Sequence, residues 1–261
     1  MPNPVFRSAV TGVRAQQLAL DVIANNLANV STTGYKARRA DFRDLLYQRL
    51  RAGRVPDPTA PVSPAEIGGG ARADVISRLF SQGALRESGR VLDLAIAGDG
   101  FFQVRTATGQ VAYTRDGALQ IDATGRLTTA AGELIDPPVT LPEDLTTLRI
   151  DERGTIYGTR AGAEGELTLG QLQLARFTNP AGLSAAGENL FVATDNSGAP
   201  QTGNPGENGL GQLVSGFLEA ANVDLGAEMT AMIQAQRAYQ LNLKAVQTID
   251  EMTAQALQLR R

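Results

Sequence analysis

Apolar residues recur every three or four positions at both ends of the chain, and this spacing predicts an amphipathic helix at each end. Asn3-Pro4 is a suitable start for the first helix, because Asn caps helices and Pro tolerates the first helical position. This helix is predicted to end near residues 25–29, where several Asn side chains compete for backbone hydrogen bonds. Its apolar stripe consists of Phe6, Val13, Leu20, Ile23 and Leu27.

The second helix is predicted from about Asn222 to Leu259, with Asn222 or Asp224 as its cap. At ~1.5 Å per residue such a helix is roughly 55 Å long, which exceeds the width of a small domain. Two long amphipathic helices in one chain favour pairing as a coiled coil, although packing of each helix on its own domain is the alternative. The second stripe consists of Leu225, Met229, Met232, Tyr239, Leu243 and Val246.

The middle of the chain has a different pattern. Residues 51–73 hold four Pro residues and three consecutive Gly residues, which predicts an extended loop. Residues 74–218 show short alternating segments separated by turn signals such as Asp116-Gly117 and Thr124-Gly125, which predicts antiparallel strands. We therefore expect an α+β fold: a terminal helical domain from residues 1–50 and 219–261, with an inserted, antiparallel all-β domain at 74–218.

Composition excludes several kinds of chemistry. The chain has no His and no Cys, which removes Ser-His-Asp and Cys-His catalysis, disulfides and the usual zinc sites. Lys occurs only at Lys36 and Lys244 and never after Gly, so a phosphate-binding loop is absent. The acidic residues form no evident catalytic pair. We expect no catalytic residue, no cofactor, no metal and no small-molecule substrate.

The charge balance and the Gly-rich motifs add no binding site. A net charge of −3 does not suit a protein that grips a nucleic-acid backbone, so no nucleic acid is expected as a partner. Gly98-Asp99-Gly100 begins like a dinucleotide-binding motif, but Gln103 occupies the position of its third Gly. This segment is better interpreted as a turn or bulge.

Several segments resemble the signatures of bacterial flagellar rod and hook proteins. The N-terminal one is Leu18-Ala-Leu-Asp-Val-Ile-Ala-Asn-Asn-Leu-Ala-Asn-Val-Ser-Thr-Thr-Gly-Tyr-Lys36, and the C-terminal one is Met232-Ile-Gln-Ala-Gln-Arg-Ala-Tyr-Gln-Leu-Asn242. Ala220-Ala-Asn-Val-Asp224, Ser81-Gln-Gly83 and Tyr113-Thr-Arg-Asp-Gly117 also fit. The resemblance runs along nearly the whole chain. The chain length and the Asp-Leu-Leu-Tyr47 run before a Pro/Gly-rich arm look most like the distal rod members.

The resemblance implies a structural role. Members of the family are exported unfolded across the inner membrane by the flagellar type III apparatus and polymerise helically into a tube. Their terminal helices form the inner wall, and the β domain faces outward. The implied partners are copies of the same chain, neighbouring rod and hook subunits, ring (bushing) proteins and the export apparatus. The implied location is the rod of the flagellar basal body, in the cell envelope.

The resemblance also implies roles for single residues. The two apolar stripes would form the polymerisation seam, and we call their eleven residues the predicted seam. Asn25, Asn26 and Asn29 would end the first helix and bond neighbouring backbone, and Gly34 would supply a turn with positive φ. The loop at 51–73 would lie between subunits and stiffen the polymer.

Three alternatives stay open at this point. A proximal rod or hook subunit would share the same terminal motifs. A secreted carbohydrate-active enzyme would need a wall-hydrolysing activity. A soluble scaffold would form a closed oligomer of fixed stoichiometry through its terminal helices.

Overall fold

The computed structural model describes residues 4–49, 66–142, 144–160 and 165–258. The chain divides into two units. The first comprises Met1–Ala28, Arg38–Arg78 and Asp224–Arg261, and the second comprises Asn29–Ala37 and Leu79–Val223. One unit contains both long helices and the other is rich in antiparallel strands, which confirms the α+β class.

The first unit is built on two helices that contact each other. Strands β1 and β4 pair antiparallel with a bulge at Asp41/Phe42, and α1 contacts both strands. Strands β2 and β3 form a second antiparallel pair. The elements of this unit are α1 (Pro4–Ala28), β1 (Arg38–Asp44), β2 (Tyr47–Arg49), β3 (Glu66–Gly68), β4 (Ala71–Arg78) and α2 (Leu225–Gln258).

Both helices end close to the predicted residues. The cap of α2 is Asp224, whose Oδ1 accepts hydrogen bonds from the N–H groups of Gly226 at 2.9 Å and Ala227 at 3.1 Å. This satisfies two of the backbone donors that every helix N-terminus leaves without partners. Asn222, the other predicted cap, lies before the helix and has a different role. Neither helix has the combination of length and apolarity that crossing a membrane requires, within the residues that the structure describes.

The segment between the first helix and the strand-rich part differs from a simple loop. Most of the loop predicted at 51–73, namely residues 51–65, lies outside the described residues. From residue 66 onward the chain is already in strands, because Glu66–Gly68 pairs with Tyr47–Arg49 and Ala71 begins β4. The domain boundaries drawn from the sequence stay a prediction.

The second unit consists of short strands and one 3-10 turn, Pro180–Gly182. The strands are β5 (Leu85–Glu87), β6 (Leu94–Ala97), β7 (Phe101–Arg105), β8 (Val111–Thr114), β9 (Leu119–Ile121), β10 (Leu127–Thr129), β11 (Leu134–Ile135), β12 (Leu145–Ile150), β13 (Thr155–Arg160), β14 (Leu167–Gln171), β15 (Leu174–Arg176), β16 (Ser184–Gly187), β17 (Leu190–Val192), β18 (Gln201–Gly203), β19 (Gln212–Ser215) and β20 (Phe217–Glu219).

The largest sheet has nine strands and is organised around β7. Its main path runs β16-β17-β8-β7-β11-β10-β9, and β15 pairs with both β7 and β18. Strand β7 thus has three partners, because its first residues pair with β15 and its last residues pair with β11 on the same side. The remaining strands form the sheet β12-β13-β14 and the pairs β19-β6 and β20-β5.

Two apolar clusters hold this unit together. The larger contains fully buried aliphatic side chains from many strands, including Leu94, Ile96, Val104, Ile156 and Leu213. The smaller is aromatic and packs Phe101, Tyr113, Phe177 and Phe191 edge to face, with Tyr113 and Phe177 centred 4.8 Å apart. Buried apolar area is the main stabilising contribution in such a unit.

Candidate functional site

Asn26 joins three segments of the first unit. It lies in the last turns of α1 and is 1% exposed. Its Nδ2 donates to the carbonyl oxygen of Arg38 at 2.8 Å and to Oε1 of Glu228 at 2.9 Å, and its Oδ1 accepts from the N–H of Arg38 at 2.9 Å. One amide therefore fixes the end of α1, the start of β1 and the first turns of α2.

Asn25 and Asn29 have other surroundings. Asn25 is exposed at the end of α1. The Oδ1 of Asn29 accepts from the Thr32 hydroxyl at 3.3 Å, in the turn after the helix.

We expect the Asn26→Asp substitution to lower the free energy of unfolding of the helical unit by about 3 kcal/mol. The new carboxylate cannot donate to the Arg38 carbonyl, and it faces the carboxylate of Glu228. Adding Glu228→Gln restores a donor at that position, so the double variant should regain at least about 1 kcal/mol. Denaturant unfolding followed by helical circular dichroism measures both. Strictly additive losses would contradict the direct contact.

The structure divides the predicted seam into half-buried and exposed residues. All five of its residues in α1 are half-buried, whereas the buried residues of that helix, among residues 6–28, are Ala15, Val22 and Asn26. In α2, Met232, Tyr239 and Val246 are half-buried, and Leu225, Met229 and Leu243 are exposed. The only buried residue of α2 among those described is Ala235, which the sequence pattern did not single out.

Exposed large apolar side chains are concentrated in the first unit. Of the sixteen in the described part of the chain, only Leu79, Val91, Ile121 and Leu167 belong to the second unit. Seven of the other twelve lie on α2, where Leu241 is 68% exposed. A concentration of this kind marks an interaction surface. These seven residues are spread around the exposed circumference of the helix, and we call them together the outer face of α2: Leu225, Met229, Ile233, Leu241, Leu243, Met252 and Leu257.

A buried ionic cluster lies in the second unit. Lys36 and Glu219 are each 1% exposed, and the Lys36 ammonium lies 2.6 Å from Oε1 of Glu219. Arg115 is 4% exposed and donates to Oε2 of the same carboxylate at 3.3 Å. Its guanidinium also lies over the Phe101 ring, 5.3 Å from the centroid.

Backbone groups complete this cluster. The N–H of Gly83 donates to Oε1 of Glu219 at 2.8 Å, and the Lys36 ammonium donates to the carbonyl oxygen of Ser81 at 2.8 Å. Burial lowers the pKa of the Lys36 ammonium, and the Glu219 carboxylate opposes that shift. Burial likewise lowers the pKa of the Arg115 guanidinium. Glu219 therefore pairs with two buried cations, and its loss would leave Lys36 and Arg115 without their shared ion-pair partner, although the charge of Asp99 also acts on Arg115.

Asn222 connects the same region through its side-chain amide. Its Oδ1 accepts from the N–H of Ala37 at 2.7 Å, and its Nδ2 donates to the carbonyl oxygens of Leu79 at 2.8 Å and Ser81 at 3.0 Å. Leu79 and Ala37 also bond directly, from N–H to carbonyl oxygen, at 2.8 Å.

Gly34 packs beside this cluster without room for a side chain. Its φ is +66°. A Cβ added there would lie 2.6 Å from the backbone nitrogen of Asp116, so both the conformation and the space require Gly. The N–H of Gly34 donates to the carbonyl oxygen of Glu219 at 2.8 Å.

Sequence reasoning missed Glu219, Arg115 and Asn222 as a group. Arg115 and Asn222 stand inside segments that resemble the family, and Glu219 directly precedes one of them. Their positions in or next to the signature segments could have drawn attention to these residues. Nothing in the sequence, however, shows that the signature segments meet in space. Among the described residues, no group of acidic side chains is arranged to hold a metal ion.

Comparison with known proteins gives three matching family models. The model described as flagella basal body rod protein matches residues 6–36. The flagellar hook protein FlgE/F/G D1 domain matches residues 95–158, and the flagellar basal body rod FlgEFG protein C-terminal model matches residues 214–259.

Curated relatives match the chain over almost its whole length. The flagellar basal-body rod protein FlgG of Caulobacter vibrioides is 41% identical over 258 residues, which is 98% of this chain and 98% of the relative. The protein of the same name from Borreliella burgdorferi is 41% identical over 258 residues, 97% of each chain. The FlgG of Bacillus subtilis is 38% identical over 261 residues, 97% of this chain and 98% of the relative.

Proposed function

Because the chain belongs to the FlgG family of flagellar basal-body rod proteins, we propose that it assembles helically with copies of itself into the distal rod. The rod is the drive shaft that carries torque from the motor to the hook. The observation that carries the proposal is the outer face of α2, which is apolar and exposed in the single chain. Near-full-length similarity to proteins named FlgG favours the distal rod over a proximal rod or hook subunit.

We further propose that α1 and α2 pair as an antiparallel coiled coil. Two contacts support a single register: Asn26 bonds Glu228, and Gly12 lies against the Asn242 side chain. Within each helix these contact residues are two heptads apart, as a coiled-coil repeat requires. The same register places Val22 opposite Met232 and Ala15 opposite Tyr239.

Burial along α2 supports this register. Residues of reduced exposure recur alternately four and three positions apart, which is the spacing of coiled-coil core positions. This series is Glu228, Met232, Ala235, Tyr239, Asn242, Val246 and Ile249, and the two further half-buried residues of this stretch, Ala231 and Ala238, directly precede Met232 and Tyr239.

In this arrangement the predicted seam has two functions. Met232, Tyr239 and Val246 pair the helices within one chain, and Leu225, Met229 and Leu243 face neighbouring copies. The half-buried seam residues of α1 flank the intrachain contact. The two helices would form the axial core of the rod, and the β-rich part at 74–218 would lie outside it. Neighbouring rod and hook subunits, ring proteins and the export apparatus complete the proposed partners, and no catalytic activity is proposed.

Assembly of the purified full-length chain tests the function. We expect monomers at low concentration and tubular polymers above a threshold, because burial of apolar side chains drives association while ordering costs oppose nucleation. Analytical sedimentation gives the threshold and electron microscopy shows the polymer. A closed oligomer whose stoichiometry does not change with concentration would instead indicate a soluble scaffold.

A further inference from the structure

The chain passes between the two units at four points. The backbone passes from one unit to the other after Ala28, Ala37, Arg78 and Val223. Three residues next to these crossings are hydrogen-bonded together inside the second unit: Ala37, Leu79 and Asn222. Asn222 bonds both of the others through its side chain.

Further bonds join the segment with which the chain first enters the second unit, at 29–37, to the segment with which it leaves that unit, at 219–223. We call these the entering and leaving segments. The first segment of the second unit, Asn29–Ala37, bonds the residues just before α2 at four points. The Asn222 N–H donates to the Tyr35 carbonyl oxygen at 3.4 Å. The Gly34 N–H donates to the Glu219 carbonyl oxygen at 2.8 Å, the Lys36 ammonium contacts the Glu219 carboxylate at 2.6 Å, and the Ala37 N–H donates to Asn222 Oδ1 at 2.7 Å. The carboxylate is held in turn by Gly83 and Arg115.

These bonds lie where tension on the two helices enters the second unit. Pulling α1 and α2 apart along the chain applies force to the second unit at residues 29 and 223. The segment that begins at residue 29 and the segment that ends at residue 223 are the ones joined by the bonds of Gly34, Lys36 and Ala37 to Glu219 and Asn222. Bonds loaded together share the force, whereas bonds loaded in sequence break one at a time.

We infer that Glu219 and Asn222 form a mechanical clamp, which resists separation of the entering and leaving segments under tension. The clamp is defined by Gly34, Lys36, Ala37, Glu219 and Asn222. The biological purpose of the clamp rests on the proposed function, since a torque-bearing subunit must stay intact under load. The mechanical resistance itself does not depend on that function, because it is a property of the isolated chain.

Single-molecule force spectroscopy in two pulling directions tests the clamp. With handles at the two chain termini, Asn222→Ala should shorten the lifetime of the second unit under constant force by about tenfold or more, the factor that corresponds to losing the several hydrogen bonds of one half-buried amide. With handles on Ala107→Cys and Ala186→Cys, both exposed in the second unit, the same substitution should change the lifetime less than twofold. The natural chain has no Cys, so these handles attach at defined positions.

Direction dependence separates a clamp from ordinary stabilisation. A residue that only stabilises the fold shortens the lifetime in both directions, and that result would overturn the inference. Asn179→Ala is the matched control, because its amide bonds the backbone of Asn196 at 2.9 Å in an exposed turn of the same unit. It should leave the lifetime under terminal tension unchanged.

If Asn222→Ala does not fold, a second variant tests the same clamp. Asn222→Asp keeps an acceptor for the Ala37 N–H but places an oxygen against the carbonyl groups of Leu79 and Ser81. It should show the same dependence on pulling direction. Two results for a folded Asn222→Asp protein would also overturn the clamp. One is a lifetime shortened equally in both pulling directions, and the other is a lifetime under terminal tension equal to that of the natural chain. Neither result would affect the proposed assembly of the rod.

Discussion

Replacing Leu241 by Asp should raise the concentration needed for assembly by about 10- to 100-fold. Leu241 lies on the outer face of α2 and is 68% exposed in the single chain, so its side chain is free to become buried between copies. Burying a Leu side chain contributes about 1.5–3 kcal/mol, and every 1.4 kcal/mol is a factor of ten in an association constant. A charge at the same position must also lose its hydration, which adds to the loss. The threshold measured by sedimentation gives the effect directly.

The neighbouring residue supplies the control for this prediction. Gln240 is also exposed and lies on the same turn of α2, so Gln240→Asp adds the same charge without removing an apolar group. It should shift the threshold only slightly, and both variants should keep the helical circular dichroism of the natural chain. If Leu241→Asp assembles as readily as Gln240→Asp, the outer face of α2 is not an assembly surface. Leu243→Asp, in the predicted seam, should behave like Leu241→Asp.

The existence of the two helices could be predicted from sequence, but the face that each uses could not. Apolar spacing was sufficient to place α1 and α2 to within a few residues, because capping residues and Asn-rich ends mark where helices begin and end. The stripe in α2, however, combines half-buried residues such as Met232 with exposed ones such as Met229. A hydrophobicity pattern records that a residue avoids water and not whether the same chain or another copy covers it.

Small residues explain why the contact face of α1 was missed. Gly12 and Ala15 contribute little to an apolar stripe, yet Gly12 lies against Asn242 and Ala15 is buried. Small side chains allow two helices to approach closely, so their value depends on the partner and not on their own hydrophobicity. The polar residue Asn26 is buried for a similar reason, since its partners Arg38 and Glu228 become visible only in the fold.

The ionic cluster shows a further limit of sequence reasoning. Lys36 and Glu219 are 183 positions apart, and charged residues are exposed in most proteins. In the sequence, Lys36 is distinguished only as the last residue of a signature segment and as one of two Lys residues that do not follow Gly. The antiparallel pairing of β20 with β5 brings Glu219 opposite Leu85 and close to Gly83, and the Lys36 ammonium meets the carboxylate there.

The Glu219→Gln substitution should lower the free energy of unfolding of the second unit by about 3–5 kcal/mol at neutral pH. The amide keeps the shape of the side chain but leaves Lys36 and Arg115 buried without their shared ion-pair partner, and removing one partner of a buried ion pair costs about this much. Chemical denaturation followed by tyrosine fluorescence measures the change, since Tyr113 is buried in the aromatic cluster of the same unit. Glu166→Gln is the matched control: its partner Arg149 is 3.6 Å away and both side chains are more than half exposed, so its loss should not exceed about 1 kcal/mol.

The deficit of Glu219→Gln should also shrink as the pH rises. Burial lowers the pKa of the Lys36 ammonium in the folded protein, and the Glu219 carboxylate opposes that shift; without the carboxylate the pKa falls further. The unfolded chain then binds more protons than the folded one between the lowered pKa and the ordinary value for Lys, so stability increases with pH across that window. The difference between variant and natural chain should therefore be largest at neutral pH and smaller near pH ~10, close to the ordinary pKa of Lys. A deficit that stays constant with pH would show that the buried charge of Lys36 is not its cause, and that the lost ion pair with Arg115 accounts for it instead, since Arg115 keeps its charge throughout this pH range.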